Sequence, residues 1–122
     1  MSWFFLCIGG ACGAVTRYKI GEFLLRHAKD GFPLGALCIN VSGAMLLGVI
    51  SGLDFTGSPY LLMGDGFCGA FTTFSTFSVE SVKLLKSGNI KKSTLFIGAS
   101  VILGLTLFLS GYTAGKLFTG AW

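Results

Sequence analysis

Residues 66–80 read GFCGAFTTFSTFSVE, and this stretch decides how the rest of the chain is interpreted. It combines two glycines with five hydroxyl residues inside a segment that is otherwise almost entirely apolar. Glycines release the backbone from helical geometry, and hydroxyl groups can satisfy the amides and carbonyls that are freed. The stretch therefore predicts a helix that is broken inside a membrane, a backbone arrangement that forms ion sites.

The remainder of the chain is long enough for four membrane spans and little else. Of its 122 residues 52% are hydrophobic and only 11% are charged, whereas soluble proteins have about 25% charged residues. A bilayer core of about 30 Å requires roughly 20 helical residues per crossing, which leaves no room for a soluble catalytic domain, so we do not expect an enzyme. We expect a single-domain, all-α membrane protein over residues 1–122, with its third span broken near the midplane. The spans are predicted at about residues 3–25, 33–53, 60–83 and 94–115.

Basic residues are distributed unevenly between the two ends of these spans. Lys116 is alone on the side of the termini, against six on the opposite side: Arg26, Lys29, Lys83, Lys86, Lys91 and Lys92. By the positive-inside rule, loops 26–31 and 84–93 are predicted to be cytoplasmic and both termini to lie outside. Attraction to anionic membrane lipid accounts for these charges, so we expect no nucleic-acid partner.

Small residues recur at steps of four and predict close helix packing. Gly9 with Gly13 and Gly111 with Gly115 have this spacing. In the second span such a face consists of Ala36, Asn40, Ala44, Gly48 and Gly52. The four cysteines include no C-x-x-C pair and are interpreted as further small buried residues. Asn40 is exceptional, because an amide near the middle of a span must find a partner or line a hydrated path.

Two phenylalanines in the broken segment, Phe74 and Phe77, can share one helix face. Phenyl rings have a negative face and a positive edge, so their edges can favour a small anion without supplying a full charge. The same spacing is also compatible with ordinary core packing. The ring pair taken alone leaves both roles open.

Three motifs in the first three spans form a recognisable set. They read G-G-x-x-G-A-x-x-R-Y at residues 9–18, G-x-L-x-x-N at residues 35–40 and G-x-x-T-T-F-S-T-F-S at residues 69–78. Together they resemble the Fluc/CrcB family of bacterial fluoride channels. The resemblance implies a plasma-membrane channel that exports fluoride passively from the cytoplasm and relieves fluoride toxicity. It also implies an antiparallel dimer with two pores at the subunit interface.

The resemblance further implies roles for individual residues. A structural sodium ion at the dimer interface would be held by the backbone carbonyls of Gly69 and Thr72. Phe74 and Phe77 would present their ring edges to fluoride. The other residues of the fluoride pathway would be the amide Asn40, the hydroxyls Thr76 and Ser100, and the vestibule residue Arg17.

Two positions depart from the family pattern, which often has threonine where Ala36 stands and tyrosine where Phe96 stands. These changes remove two hydroxyls from the ion path, so one interpretation is a partly non-conducting subunit. The charge bias adds a second hypothesis, a chain of fixed topology that pairs with an oppositely oriented homologue in a heterodimer. An antiparallel homodimer is the alternative assembly.

Two other classes of protein are weighed against a channel. A small multidrug-resistance transporter would couple drug export to protonation of an acid in the first span, where Glu22 is the candidate. Glu22 lies near the end of that span, and such a transporter has no role for the hydroxyl-phenylalanine stretch. An accessory or assembly subunit would use the small-residue faces only to hold a partner.

Overall fold

The computed structural model describes residues 2–27 and 32–120. Within these ranges the chain is helical and contains no β-strand, so the predicted all-α class is confirmed. The first two helices are α1 (Ser2–His27) and α2 (Leu34–Gly52). The third segment consists of α3 (Ser58–Tyr60), a π-helical segment (Leu61–Cys68), α4 (Gly69–Phe71) and α5 (Phe74–Lys86). The last helix is α6 (Ile90–Thr119).

Two helices in the described ranges, α2 and α6, are long and apolar enough to cross a membrane as single helices. Helix α1 has 26 residues, but its C-terminal half contains Arg17, Lys19, Glu22 and Arg26. The third segment is divided into shorter helices, because Thr72 and Thr73 are extended between α4 and α5. These two segments are therefore the ones whose polar content needs an explanation beyond membrane insertion.

Helices α2 and α6 run parallel and approach each other backbone to backbone. A Cβ atom added at Gly48 would collide with the carbonyl oxygen of Phe108, and one added at Gly52 would collide with that of Tyr112. From the other side, a Cβ at Gly111 would collide with the carbonyl oxygen of Met45. The predicted close packing at these glycines is confirmed, since no side chain fits between the two helices.

A second parallel pair is formed by α1 and the π-helical segment. Cβ atoms at Gly9 and Gly13 would collide with the carbonyl oxygens of Leu62 and Phe67, respectively. These two helix pairs meet where α1 contacts α2. A Cβ atom added at Gly21 of α1 would lie 3.7 Å from the Ile39 side chain of α2. The glycines of α1 thus place the third segment directly beside the first.

Helix α5 packs against the start of α6 around the fully buried Phe96 ring. The Ser93 hydroxyl donates a hydrogen bond to the carbonyl of Ser81 over 3.0 Å. At the other end of the bundle, the Lys116 ammonium donates to both carboxylate oxygens of Asp54, at 2.8 and 2.7 Å. Helix α6 is therefore fixed to α5 at one end and to Asp54, two residues after α2, at the other.

The predicted loop at residues 84–93 is wrong in its extent. Only residues 87–89 separate α5 from α6. Gly88 adopts a positive φ of 84°, and the amide of Asn89 donates to the carbonyl of Leu84 over 3.0 Å. This Schellman turn satisfies the last carbonyls of α5 and lets α6 begin at once. Of the other predicted loop, 26–31, residues 28–31 lie outside the described residues.

The interpretation of the cysteines as buried residues is wrong for three of the four. Cys68 is buried, but Cys7, Cys12 and Cys38 are exposed on the surface of the single chain. Apolar residues facing lipid or another subunit need not be buried within their own chain. Composition alone therefore could not separate the two environments.

Candidate functional site at the interrupted third segment

The interruption consists of two residues in extended conformation. Thr72 has φ −80° and ψ 157°, and Thr73 has φ −148° and ψ 120°. The amide and the hydroxyl of Thr72 both donate to the carbonyl of Cys68, at 3.0 and 2.9 Å. The helical hydrogen-bond pattern therefore stops at Thr72, and its side chain reinforces the last bond.

Thr73 connects the interruption to α2 and to the beginning of α5. Its amide donates to Oδ1 of Asn40 over 2.9 Å, and its carbonyl accepts from Nδ2 of Asn40 over 3.1 Å. Its hydroxyl accepts from the amide of Thr76 over 3.3 Å and so caps the N-terminus of α5. The backbone of Thr73 is therefore the hydrogen-bond partner that the Asn40 amide requires inside a span.

The carbonyl oxygens of Gly69 and Thr72 remain available to a ligand. Within residues 2–27 and 32–120 no backbone or side-chain donor reaches either oxygen. The same ranges contain no cluster of three or more His, Cys, Asp or Glu side chains that could hold a metal ion. Hard cations are bound by oxygen ligands that include backbone carbonyls, so the chemistry of these two groups fits a cation such as sodium.

The two predicted pore phenylalanines are close together but differ in their surroundings. Phe74 is the first residue of α5 and is 80% exposed. Phe77 is half-buried, with its ring centroid 5.9 Å from that of Phe74 and 5.4 Å from that of Phe96. Phe96 in turn meets Phe32 edge to face at 5.9 Å. Phe77 therefore packs between Phe74 and the buried Phe96 ring, whereas Phe74 contacts Phe77 and is otherwise largely exposed.

A cavity of about 550 Å³ lies between α1, α2 and α5 beside the interruption. It brings the predicted site residues Arg17 and Thr76 together, with Ala36 in its wall. Glu80 and Thr73 also line it, although the sequence prediction did not include them among the pathway residues. For Glu80 the sequence did contain a signal, because Thr76 and Glu80 are four residues apart and therefore lie on one helix face.

Ser100 is not brought to this cavity. It lies on α6, and its hydroxyl oxygen is buried without a hydrogen-bond partner among the described residues. Phe96, four residues earlier, is fully buried by Phe77 and Phe32 and does not line the cavity either. Ser100 and Phe96 are thus separate from the Arg17 cavity in the single chain.

Four helical segments of the described chain, two of them long and apolar enough to span a membrane and the third interrupted at Thr72 and Thr73 beside a cavity, define a small helical membrane protein. Residues 4–112 match the family described as CrcB-like protein, Camphor Resistance (CrcB). The chain belongs to the CrcB family, which confirms the resemblance that the three motifs indicated.

Similar proteins support this membership over nearly the whole chain. The chain is 40% identical over 117 residues to "Fluoride-specific ion channel FluC 2" of Clostridium acetobutylicum, covering 96% of this chain and 100% of the relative. It is 44% identical over 109 residues to "Fluoride-specific ion channel FluC 2" of Bacillus thuringiensis subsp. konkukian, covering 89% and 92%. It is 38% identical over 112 residues to "Fluoride-specific ion channel FluC 1" of Geobacillus kaustophilus, covering 92% and 96%.

Proposed function

We propose that this chain is a subunit of a fluoride-selective channel through which fluoride leaves the cytoplasm passively. The observation that carries the proposal is the Phe74 ring, which is 80% exposed at the first helical residue after the interruption. Relatives that align over most of the chain are named fluoride-specific ion channels, which supports the same function.

The surroundings of Phe74 suit a small anion that has lost part of its water. The first amides of α5 have no helical partner and carry the positive end of the helix dipole. Phenyl edges and the Thr76 hydroxyl add further partial positive charge. Arg17 supplies a positive charge in the cavity wall, where the carboxylates of Glu22 and Glu80 are paired with Arg26 and Lys83. Chloride is larger and more weakly hydrated, so the same contacts replace its hydration less well.

No energy source other than the membrane potential is needed. A potential that is negative inside acts on one anion with about 2.3 kcal/mol per 100 mV. This corresponds to a gradient of roughly fiftyfold, since 1.4 kcal/mol is tenfold. Fluoride that enters as its uncharged acid can therefore be kept low in the cytoplasm by conduction alone.

The conducting unit we propose is an antiparallel pair of chains. In the single chain, Gly69 and the Phe74 ring are exposed, and no donor among the described residues reaches the Gly69 and Thr72 carbonyls. A second, inverted chain at this surface would cover the ring and contribute an equivalent pair of carbonyls. A sodium ion bound by these oxygens would supply a positive charge that offsets part of the cost of an anion in low dielectric. The interruption would then lie near the membrane midplane.

We propose further that the partner is a homologous chain of opposite orientation. The excess of basic residues at one end favours a single topology, with the loops after α1 and α5 in the cytoplasm. The numerals 1 and 2 in the names of the relatives are consistent with paired subunits. A homodimer requires the chain to insert in both orientations.

A partly non-conducting partner subunit is the second candidate function. Ala36 lines the cavity without offering a hydroxyl, and Phe96 is buried among other rings. The multidrug-transporter alternative receives no such support. Glu22 is paired with Arg26 at 3.1 Å one turn before the end of α1.

Fluoride efflux from liposomes separates these functions. Vesicles loaded with fluoride are prepared with the chain alone and with an oppositely oriented homologue, and release is followed by a fluoride electrode. Release that needs both chains supports the heterodimer, and release by the chain alone supports the homodimer. Vesicles that stay sealed to fluoride in both preparations contradict the proposed function.

A further inference from the structure

The peptide group of Thr73 lies where a helix has lost its hydrogen bonds inside an apolar segment. Unpaired backbone groups are costly in such a place. In the described part of the chain, Asn40 alone satisfies both the amide and the carbonyl of this residue. We infer that Asn40 is a positioning residue, which holds Thr73 extended and thereby sets the directions of the Thr72 carbonyl and the Phe74 ring. Its effect on conduction rests on the proposed function.

The carboxamide of asparagine suits this task chemically. It presents one acceptor and one donor side by side, as another peptide group does. An aspartate keeps the acceptor but loses the donor when ionised, and an alanine has neither. Both polar atoms of Asn40 are engaged with Thr73, at 2.9 and 3.1 Å. The side chain therefore influences an ion through the backbone that it holds.

The packing of α2 keeps Asn40 within reach of the interruption. Gly43 lies one turn after Asn40 and faces the same region. A Cβ added there would collide with the methyl group of Thr72 and lie 3.1 Å from the Phe71 ring. Helix α2 is thus in close contact with the residues before Thr73, while Asn40 binds Thr73 itself. These two contacts fix the spacing between α2 and the interruption.

Amide hydrogen exchange of the chain reconstituted in lipid nanodiscs, without fluoride, tests the inference. In the unmodified protein the Thr73 amide should exchange more slowly than the Phe74 amide, for which no partner is found among the described residues. In Asn40→Ala, exchange at Thr73 should become faster by about fivefold or more, as expected for loss of one hydrogen bond. In Asn40→Asp it should remain slow, because a carboxylate still accepts from the Thr73 amide.

A matched control and a flux assay complete the experiment. Ser42→Ala removes a hydroxyl that donates to the Ile39 carbonyl in its own helix, and it should change neither exchange nor flux. Fluoride flux should fall in both Asn40 variants, since each loses a bond to Thr73. If flux falls in Asn40→Ala while exchange at Thr73 is unchanged, Asn40 acts on the ion directly and the inference is wrong.

Two further outcomes keep the inference separate from the proposed function. Equal exchange at Thr73 and Phe74 in the unmodified protein overturns the inference without the need for any variant. Faster exchange in Asn40→Ala, combined with vesicles that release no fluoride even with a partner, supports the positioning of Thr73 and contradicts the channel function.

Discussion

The two phenyl rings at the start of α5 differ in how much of the single chain surrounds them. Phe74 is 80% exposed, whereas Phe77 lies against Phe96 at 5.4 Å. Substitution by isoleucine conserves much of the apolar volume but removes the ring edge. The two positions should therefore respond differently to the same change.

We expect Phe74→Ile to lower fluoride flux by about fivefold to tenfold, the equivalent of losing about 1–1.4 kcal/mol of ring-edge interaction. The fold of the single chain should keep its stability, because the Phe74 ring packs against little of its own chain. Phe77→Ile should lower both flux and stability, since it loses its contact with Phe96. A fluoride electrode measures the flux from vesicles, and thermal unfolding in detergent measures the stability.

Phe118→Ile serves as the control, because this ring lies near the end of α6 and is 87% exposed. An equal loss of flux in that control would remove any special role for Phe74.

The hydroxyl of Ser100 is buried without a partner among the described residues, which makes it a candidate contact for an ion or for a second chain. Removing an unsatisfied buried hydroxyl should leave stability unchanged or raise it slightly. We expect Ser100→Ala to reduce fluoride flux while keeping the unfolding temperature. Ser110→Ala, which removes a hydroxyl already bonded to the Thr106 carbonyl, is the matched control. If Ser100→Ala conducts like the unmodified chain, Ser100 does not belong to the pathway.

At the scale of elements, the contact between α2 and α6 depends on glycines that leave no room for a side chain. Gly48→Ala would drive its methyl group against the carbonyl of Phe108. Overpacking of this kind costs about 1–3 kcal/mol. We therefore expect less folded protein and a lower unfolding temperature. A Cβ at Gly98, which lies on α6, would meet nothing within 4 Å, so Gly98→Ala should be neutral or slightly stabilising. Similar behaviour of the two variants would contradict the close contact at Gly48.

The elements also show how far the sequence could predict the fold and the site. Glycines and hydroxyl residues predicted an irregular third segment, and small residues at steps of four predicted which helix faces pack. Both patterns could be read from the sequence because they are local. The π-helical segment over Leu61–Cys68, which packs closely against Gly9 and Gly13 of α1, was not predicted, because π-helical turns are rare and have no local sequence signal of their own. The sequence indicated that Asn40 needs a partner. It could not identify Thr73, which is 33 residues away, because that pairing depends on how α2 meets the interruption.

At the scale of the whole molecule, the distribution of charge bears on orientation. Lys116, the basic residue on the side of the termini, is engaged by both carboxylate oxygens of Asp54. We expect a C-terminal tag on this chain, expressed alone in cells, to be accessible from the outside only. Lys86→Gln combined with Lys91→Gln should increase the inverted fraction, because it lowers the basic excess on the cytoplasmic side. Tags found equally on both sides in the unmodified chain would contradict the fixed topology and favour a homodimer.

The backbone contact between α2 and α6 also determines which second-site substitutions can compensate for a mutation at this contact. A bulky substitution in a side-chain interface is often compensated by a smaller residue on the facing helix. At Gly48 and Gly52 the opposing atoms are the carbonyl oxygens of Phe108 and Tyr112, which every amino acid retains. A selection for second-site suppressors of Gly48→Ala should therefore yield true revertants or changes that shift a whole helix, and no compensating substitution at position 108.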